Sequence, residues 1–444
     1  MTALLVEAVS VVLLRHRLGR TWLRRPVTLL VLASVACQGL PALLLTFPSV
    51  EAQDIYRNGI PQRFTDEATL IMSAGMLALT VAYLMTHPER SSSGATAGDA
   101  RTVTAVLDWR ILALACAPLA VLTYEGRGYN DSIAISPATG VASLAASAFF
   151  VILLALASFG YVLRKGRFLP VLTAQSLLLA AAGERIPVLA DAIVLIVLLA
   201  RVGRRPSARQ LQAAAALTVA AMLAITGVRV AQGRSLFYEN SGLNARVTAL
   251  GSGFTDAGGT SSLVAQVADR LDGDAFAGGI LQSVSMGAPR LSPGGVPESL
   301  LIVVPSALWP AKAGHFTGSL DPTVTELNDF GLQQVNFLPD LPGIYMGYLS
   351  PFWLLAFLAG LGVILGRGER WLLRRCTPAR LVMLAGSVTF ALDFQEGLPG
   401  MLTDLRTAAM VALAVRAAQV APKWRRKAMR RRQASMEVAL GQSR

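Results

Sequence analysis

Apolar runs of roughly 15 to 24 residues recur along this chain from end to end, and the segments between them alternate between arginine-rich and acidic. A run of that length crosses a bilayer as a helix, and the short segments that collect Lys and Arg stay on the cytoplasmic side. With 53% hydrophobic residues and a mean hydropathy of +0.52, the core of the protein must lie largely in lipid. The pattern predicts an all-α polytopic membrane protein of roughly ten or eleven transmembrane helices with one large, mostly helical external loop. The net charge of +13 is not read as a nucleic-acid footprint. The basic residues sit in short clusters between apolar runs, the densest being Lys423 to Arg432, and anionic lipid headgroups account for them. Cys37 and Cys116 fall in apolar runs and Cys376 in a basic segment, so no disulfide pair or metal-ligand spacing is visible.

Assigning Arg15 to Arg25 to the cytoplasm orders the crossings. Pro26 to Phe47 leads out, Ala68 to Met85 returns, Ile111 to Tyr124 leads out and Val141 to Leu163 returns to the Arg164–Arg167 turn. Phe168 to Ala200 is broken at Gly183-Glu184-Arg185-Ile186-Pro187 and flanked by basic clusters on both sides, so the break is the external tip of a hairpin. The same parity makes residues 393–400 an external break between the basic segments 367–380 and 423–432. The first stretch, Thr2 to Leu14, has its basic residues after it, the reverse of a cleavable signal. Its length of about 20 Å leaves two readings open, a thin span or an interfacial helix.

Leu211 to Val228 exits and Met346 to Leu365 re-enters, which leaves an external loop of about 115 residues, far beyond an ordinary connection. The domain organisation is therefore 1–228, N-terminal membrane helices; 229–345, the external domain; 346–420, C-terminal membrane helices; and 421–444, a basic cytoplasmic tail. Within the loop, Leu263 to Leu271, Phe276 to Met286 and Glu298 to Leu308 show helical apolar spacing. No internal repeat is evident, which disfavours transporters built from duplicated halves.

Few cations remain outside, so each invites the question of what it binds. Arg185, at the tip of its hairpin, suits a bidentate phosphate at headgroup depth; the plainer alternative is an interfacial arginine paired with Glu184. Arg229, Arg234 and Arg246 follow a helix exit and can surround a diphosphate, or serve only as juxtamembrane anchors. Asp404 and Arg406 lie in the last apolar run, where ionisable groups are costly and face the bundle interior as ligands or as a packing ion pair. Asp191 has the same two readings. His315, beside Lys312, is a candidate base toward a sugar hydroxyl, against the reading of a solvated loop histidine. Glu239, Asp321, Glu326 and Asp340 are rival bases. No Walker loop, HExxH or G-x-S-x-G motif occurs.

Three passages together resemble the bacterial O-antigen polymerase and oligosaccharide repeat-unit polymerase family, related in architecture to O-antigen ligases. They are residues 182–187 leading into an apolar helix, residues 304–312 with Pro305, Trp309-Pro310 and Lys312, and residues 338–348 running into the Gly-rich helix 354–366. The resemblance covers roughly 168–366 and departs at Ser306, where many members carry arginine, so the phosphate contact expected there lacks its residue. It implies a glycosyltransferase of the plasma (inner) membrane that polymerises polyprenyl-diphosphate-linked units on the outer face without metal or cofactor. Arg185 would contact diphosphate and Lys312 would stand near the acceptor entrance. The catalytic candidates are His315, Glu239 and Asp340, and the substrate-binding candidates Arg185, Arg229, Arg234, Arg246, Lys312, Asp404 and Arg406. Expected partners are the lipid-linked glycan, membrane lipids, and chain-length regulator and flippase proteins. Ligase-like transfer to a lipid or protein acceptor, a sugar transferase using Glu51, Asp54, Asp66 and Glu67, and a polytopic transporter or flippase are the alternatives.

Overall fold

The computed structural model describes residues 2–19, 22, 25–44, 59–86, 273–304, 308–309, 311, 322–332, 340–373, 378–413 and 416. Among these residues every regular element is helical. In chain order they are α1 (Thr2–Leu18), α2 (Pro26–Leu44), α3 (Gln62–Thr86), α4 (Gly273–Ser285), α5 (Gly295–Ser299, continued by a 3-10 turn Leu300–Val303), α6 (Pro322–Asp329), a 3-10 turn Gly343–Tyr345, α7 (Pro351–Leu373), α8 (Pro378–Leu392), a 3-10 turn Asp393–Glu396, and α9 (397–413). Four of the helices begin on proline, whose fixed φ and missing N–H suit the first helical position. Among the described residues, α3 and α7 are long and apolar enough to cross a membrane.

The spine is the α3–α7 pair. α3 buries Ala68, Met72, Met76, Leu79 and Tyr83, and α7 buries Leu354, Leu358 and Leu361, each set on one helical stripe. Small residues let the backbones approach: a Cβ on Gly75 would strike Leu358, one on Gly362 the Leu79 carbonyl, and one on Gly366 the Thr86 hydroxyl. Because 75, 79 and 86 meet 358, 362 and 366 in that order, the two helices run parallel. α2 runs against them. Arg25, just before α2, reaches Glu369 late in α7, while Gln38 meets Ser73 in the first half of α3. The short link from Leu18 to Pro26 turns α1 antiparallel to α2. α8 and α9 form a hairpin, with Gly386 closely opposite Ala408. Its tip bends at Gly397, where φ of +65° favours glycine, and that residue rests on Ile344. The break expected at 393–400 is present at this tip.

Polar side chains lie inside the bundle beside its apolar core, and several large apolar side chains face out. α1 exposes Leu4, Leu5, Val9 and Val12 and buries Glu7 and Ser10. Inside α2 and α3 lie Thr28, Ser34, Gln38, Thr65, Ser73 and Thr80, whereas Leu70, Val81 and Met85 face out. α7 exposes Phe352, Trp353 and Ile364 and buries Glu369.

The described parts of the long loop pack against the bundle. α4 begins against Asp340, and along it Gly278 and Gly279 reach Thr65 and Ile60 near the start of α3. Asp340 is joined through Gln38 to Ser73, which lies eleven residues into α3, about 16 Å from Gln62 at 1.5 Å per residue. The sequence-based boundary at residue 345 therefore separates segments that pack together. The expected helix at Phe276–Met286 is present as α4; the one at Glu298–Leu308 starts earlier and ends at Val303, because Val304 turns to an extended conformation.

Candidate functional site

Polar and charged side chains gather at three levels of the bundle. At the basic end, Arg25 Nη1 donates to Glu369 Oε1 at 2.8 Å, and the Tyr83 hydroxyl donates to Glu369 Oε2 at 2.6 Å. These residues clamp the start of α2 to the ends of α3 and α7.

Higher up, Ser34 donates to Glu7 at 3.2 Å. The other carboxylate oxygen of Glu7 is buried and has no hydrogen-bond partner. One helical turn further along α2, Gln38 links Ser73, which donates to its Oε1 at 3.1 Å, with Asp340, which accepts from its Nε2 at 2.9 Å. The second oxygen of Asp340 accepts the Gly343 N–H at 2.8 Å, capping the 3-10 turn as an Asx-type side chain does. Asp340 is fully buried, and both of its oxygens serve the packing of Leu341–Tyr345 onto α2 and α3. That is the geometry of a brace.

The loop segments are held at the opposite end from the arginine clamp. Arg290 Nη1 donates to the carbonyls of Met346 and Leu349 at 2.6 and 3.0 Å, and burial lowers its pKa from the ordinary arginine value. Glu326 on α6, another of the rival bases, is fully buried and accepts the Gly347 N–H at 2.8 Å. Ser299 and the Tyr345 hydroxyl lie 3.3 Å apart. Burial, the dominant cause, pushes that hydroxyl above the ordinary tyrosine range; Ser299 opposes the shift, and the fields of Glu326 and Tyr348 add to it.

Asp404 and Arg406 lie on α9, facing the bundle as expected of ionisable groups in an apolar run. Asp404 hydrogen-bonds Asp393 and Thr389 across the hairpin and feels the field of Arg406. Arg406 Nη1 donates to the Val303 carbonyl at 2.6 Å, while its buried Nε has no hydrogen-bond partner. Of the residues singled out from sequence, the structure thus places Asp340, Glu326, Asp404 and Arg406. Asp66 and Glu67 are exposed on the first turns of α3. Arg185, Arg229, Arg234, Glu239, Arg246, Lys312 and His315 lie outside the described residues, as do Glu51, Asp54, Asp191 and Asp321.

Sequence reasoning passed over Glu7, Gln38 and the Arg25–Glu369–Tyr83 clamp. A signal for Glu7 was present: with Ala3, Ser10 and Leu14 it forms one stripe, while Leu5, Val9 and Val12 occupy the other side. Gln38 and Glu369 pair with residues far away in sequence, and no local pattern encodes that. Compared with known proteins, the chain matches no family model, no curated protein and no solved structure.

Proposed function

We propose that this chain is a multi-pass membrane glycosyltransferase that polymerises polyprenyl-diphosphate-linked oligosaccharide units on the outer face of the plasma membrane. The membrane setting is supported by polar groups inside the bundle, Glu7, Ser34, Gln38, Ser73 and Glu369, together with large apolar side chains left outside on α1, α3 and α7. The basic clusters then orient it: the end with Arg15, Arg17 and Arg25 faces the cytoplasm, and the loop end faces out. The observation that carries the functional reading is that α4, α5 and residues 340–345 of the long loop pack against the bundle at the end away from the Arg25–Glu369 clamp, with α5 bonded to Arg406. A loop anchored there can hold a lipid-borne substrate at the level where its diphosphate meets the protein.

The chemistry follows from the substrate. A hydroxyl of one glycan attacks the anomeric carbon of another, the bond from that carbon to the diphosphate oxygen breaks, and polyprenyl diphosphate leaves with the electron pair. The hydroxyl proton passes to a base, for which His315 and Glu239 are the candidates. Charge developing on the diphosphate is stabilised by Arg185, Arg229, Arg234 and Arg246, with Lys312 toward the acceptor and Asp404 and Arg406 below, and this electrostatic term is the largest contribution to rate.

The test is purified protein in lipid with a polyprenyl-diphosphate-linked oligosaccharide. A ladder of products that disappears in Arg185→Ala, with membrane insertion unchanged, is the expected result. Normal polymer from that variant removes the assignment of Arg185, and transfer to a lipid or protein acceptor without chain growth points to the ligase-like alternative. A transport reading has one observation in its favour: Glu7 and Asp340 are carboxyl groups buried within the bundle, as on ion pathways. Movement of the lipid-linked glycan across the bilayer with no bond formed would establish that reading instead.

A further inference from the structure

Two independent contacts fix the depth of α5. At its start, Gly295 packs against the ring of Tyr348, three residues before α7 begins at Pro351. The exposed aromatics Phe352 and Trp353 follow immediately, and such residues belong to the interfacial belt. At its other end, the Val303 carbonyl is bonded to Arg406. Gly386 faces Ala408, so the α8–α9 hairpin turns at Gly397, and Arg406 lies nine residues from that tip, about 13 Å along the helix. Nine residues of helix from Gly295 to Val303 also cover about 13 Å. The contact with Arg406 carries Val303 below the headgroup layer of a hydrocarbon core about 30 Å thick, and the segment from Gly295 is long enough to reach that depth.

Backbone carbonyls at that depth need partners. The Leu301 carbonyl accepts the Val304 N–H at 3.0 Å, and Arg406 takes the Val303 carbonyl. Along the segment, Val296 and Ser299 face the protein, whereas Glu298 and Leu301 face away. Glu298 belongs to the first turn, at headgroup level, and Leu301 lies one turn deeper.

We infer that residues 295–303 form a re-entrant half-helix in the outer leaflet, with Leu301 laid against bilayer acyl chains and the carbonyl end anchored by Arg406. The occupant of this face is bulk lipid, because Leu301 is an exposed apolar side chain at the depth that the Arg406 contact sets, where an outward residue meets acyl chains. The inference rests on the membrane setting and is independent of the transfer chemistry.

Nitroxide labels at single cysteines test it in the full chain, with Cys37, Cys116 and Cys376 replaced by alanine and the protein in phosphatidylcholine–phosphatidylglycerol vesicles. Collisions with oxygen and with a water-soluble nickel chelate are compared at Leu301→Cys, Ile364→Cys and Ser292→Cys. The label at 301 is expected to rank with 364, oxygen-accessible and shielded from nickel, and the label at 292 to be open to nickel. Arg406→Met is expected to raise nickel access at 301 while 364 stays shielded. A label at 301 that ranks with 292 overturns the inference, and so does one that does not respond to Arg406→Met. Nickel access at 364 overturns the membrane setting with it.

Discussion

Replacing Arg25 by methionine isolates the clamp at the basic end of the bundle. At 2.8 Å, the Arg25–Glu369 pair has a Coulomb attraction of about 6 kcal/mol at an effective dielectric near 20, and about 1.5 kcal/mol in bulk water. The side chains are 12% and 4% exposed, so the bulk-water figure does not describe them, and much of the larger one offsets their desolvation. The buried Arg25 Nε without a partner reduces the net gain further. Removing arginine alone, however, leaves a carboxylate in a dry site with only the Tyr83 hydroxyl to solvate it, a loss of about 3 to 5 kcal/mol. Replacing both partners, as in Arg25→Met with Glu369→Leu, removes the orphan charge and should recover most of that loss. The assay is reversible unfolding in mixed micelles for the wild type, both single variants and the double variant. Single losses below about 1 kcal/mol that simply add in the double variant would show a hydrated pair and refute the reasoning.

Gly362→Ala drives a Cβ into the Leu79 carbonyl and should cost about 1 to 3 kcal/mol in the same assay, whereas Gly360→Ala, with open space around it, should be neutral or stabilising. Gln38→Leu strips one partner each from Asp340 and Ser73 and should cost about 1 to 3 kcal/mol; Gln38→Glu should be worse, because it sets a second carboxylate against Asp340. Arg290→Ala leaves the Met346 and Leu349 carbonyls unbonded and should open residues 286–294 and 340–350 to proteolysis without loss of the α3–α7 pair, measured by limited digestion and mass mapping.

What the sequence made legible follows from how membrane helices are encoded. Proline at a first turn and glycine at a bend are local signals, and from them the start of α2 at Pro26 and the break at the α8–α9 tip can be read. The path of the loop could not be read that way, because a counting rule based on long apolar windows assigns everything shorter to the aqueous side. Leu341-Pro342-Gly343-Ile344 and Leu300–Val303 are too short and too interrupted to register as crossings, yet the first joins the Gln38–Ser73 level and the second meets Arg406. Asp340 illustrates the consequence. As a carboxylate in a presumed external loop it reads as a base; in the fold it caps the 3-10 turn that its neighbours Pro342 and Gly343 enter, and Gln38 donates to its other oxygen. Arg406 illustrates the opposite case: a charge in an apolar run announces itself, and its cost at that depth implies a partner, but only the fold shows that the first partner is a backbone carbonyl from a segment about one hundred residues earlier in the chain. An arginine spent only on that carbonyl would be replaceable by any neutral donor of similar reach. The Arg406 Nε also lies buried without a hydrogen-bond partner, which adds to the cost of holding the guanidinium at that depth.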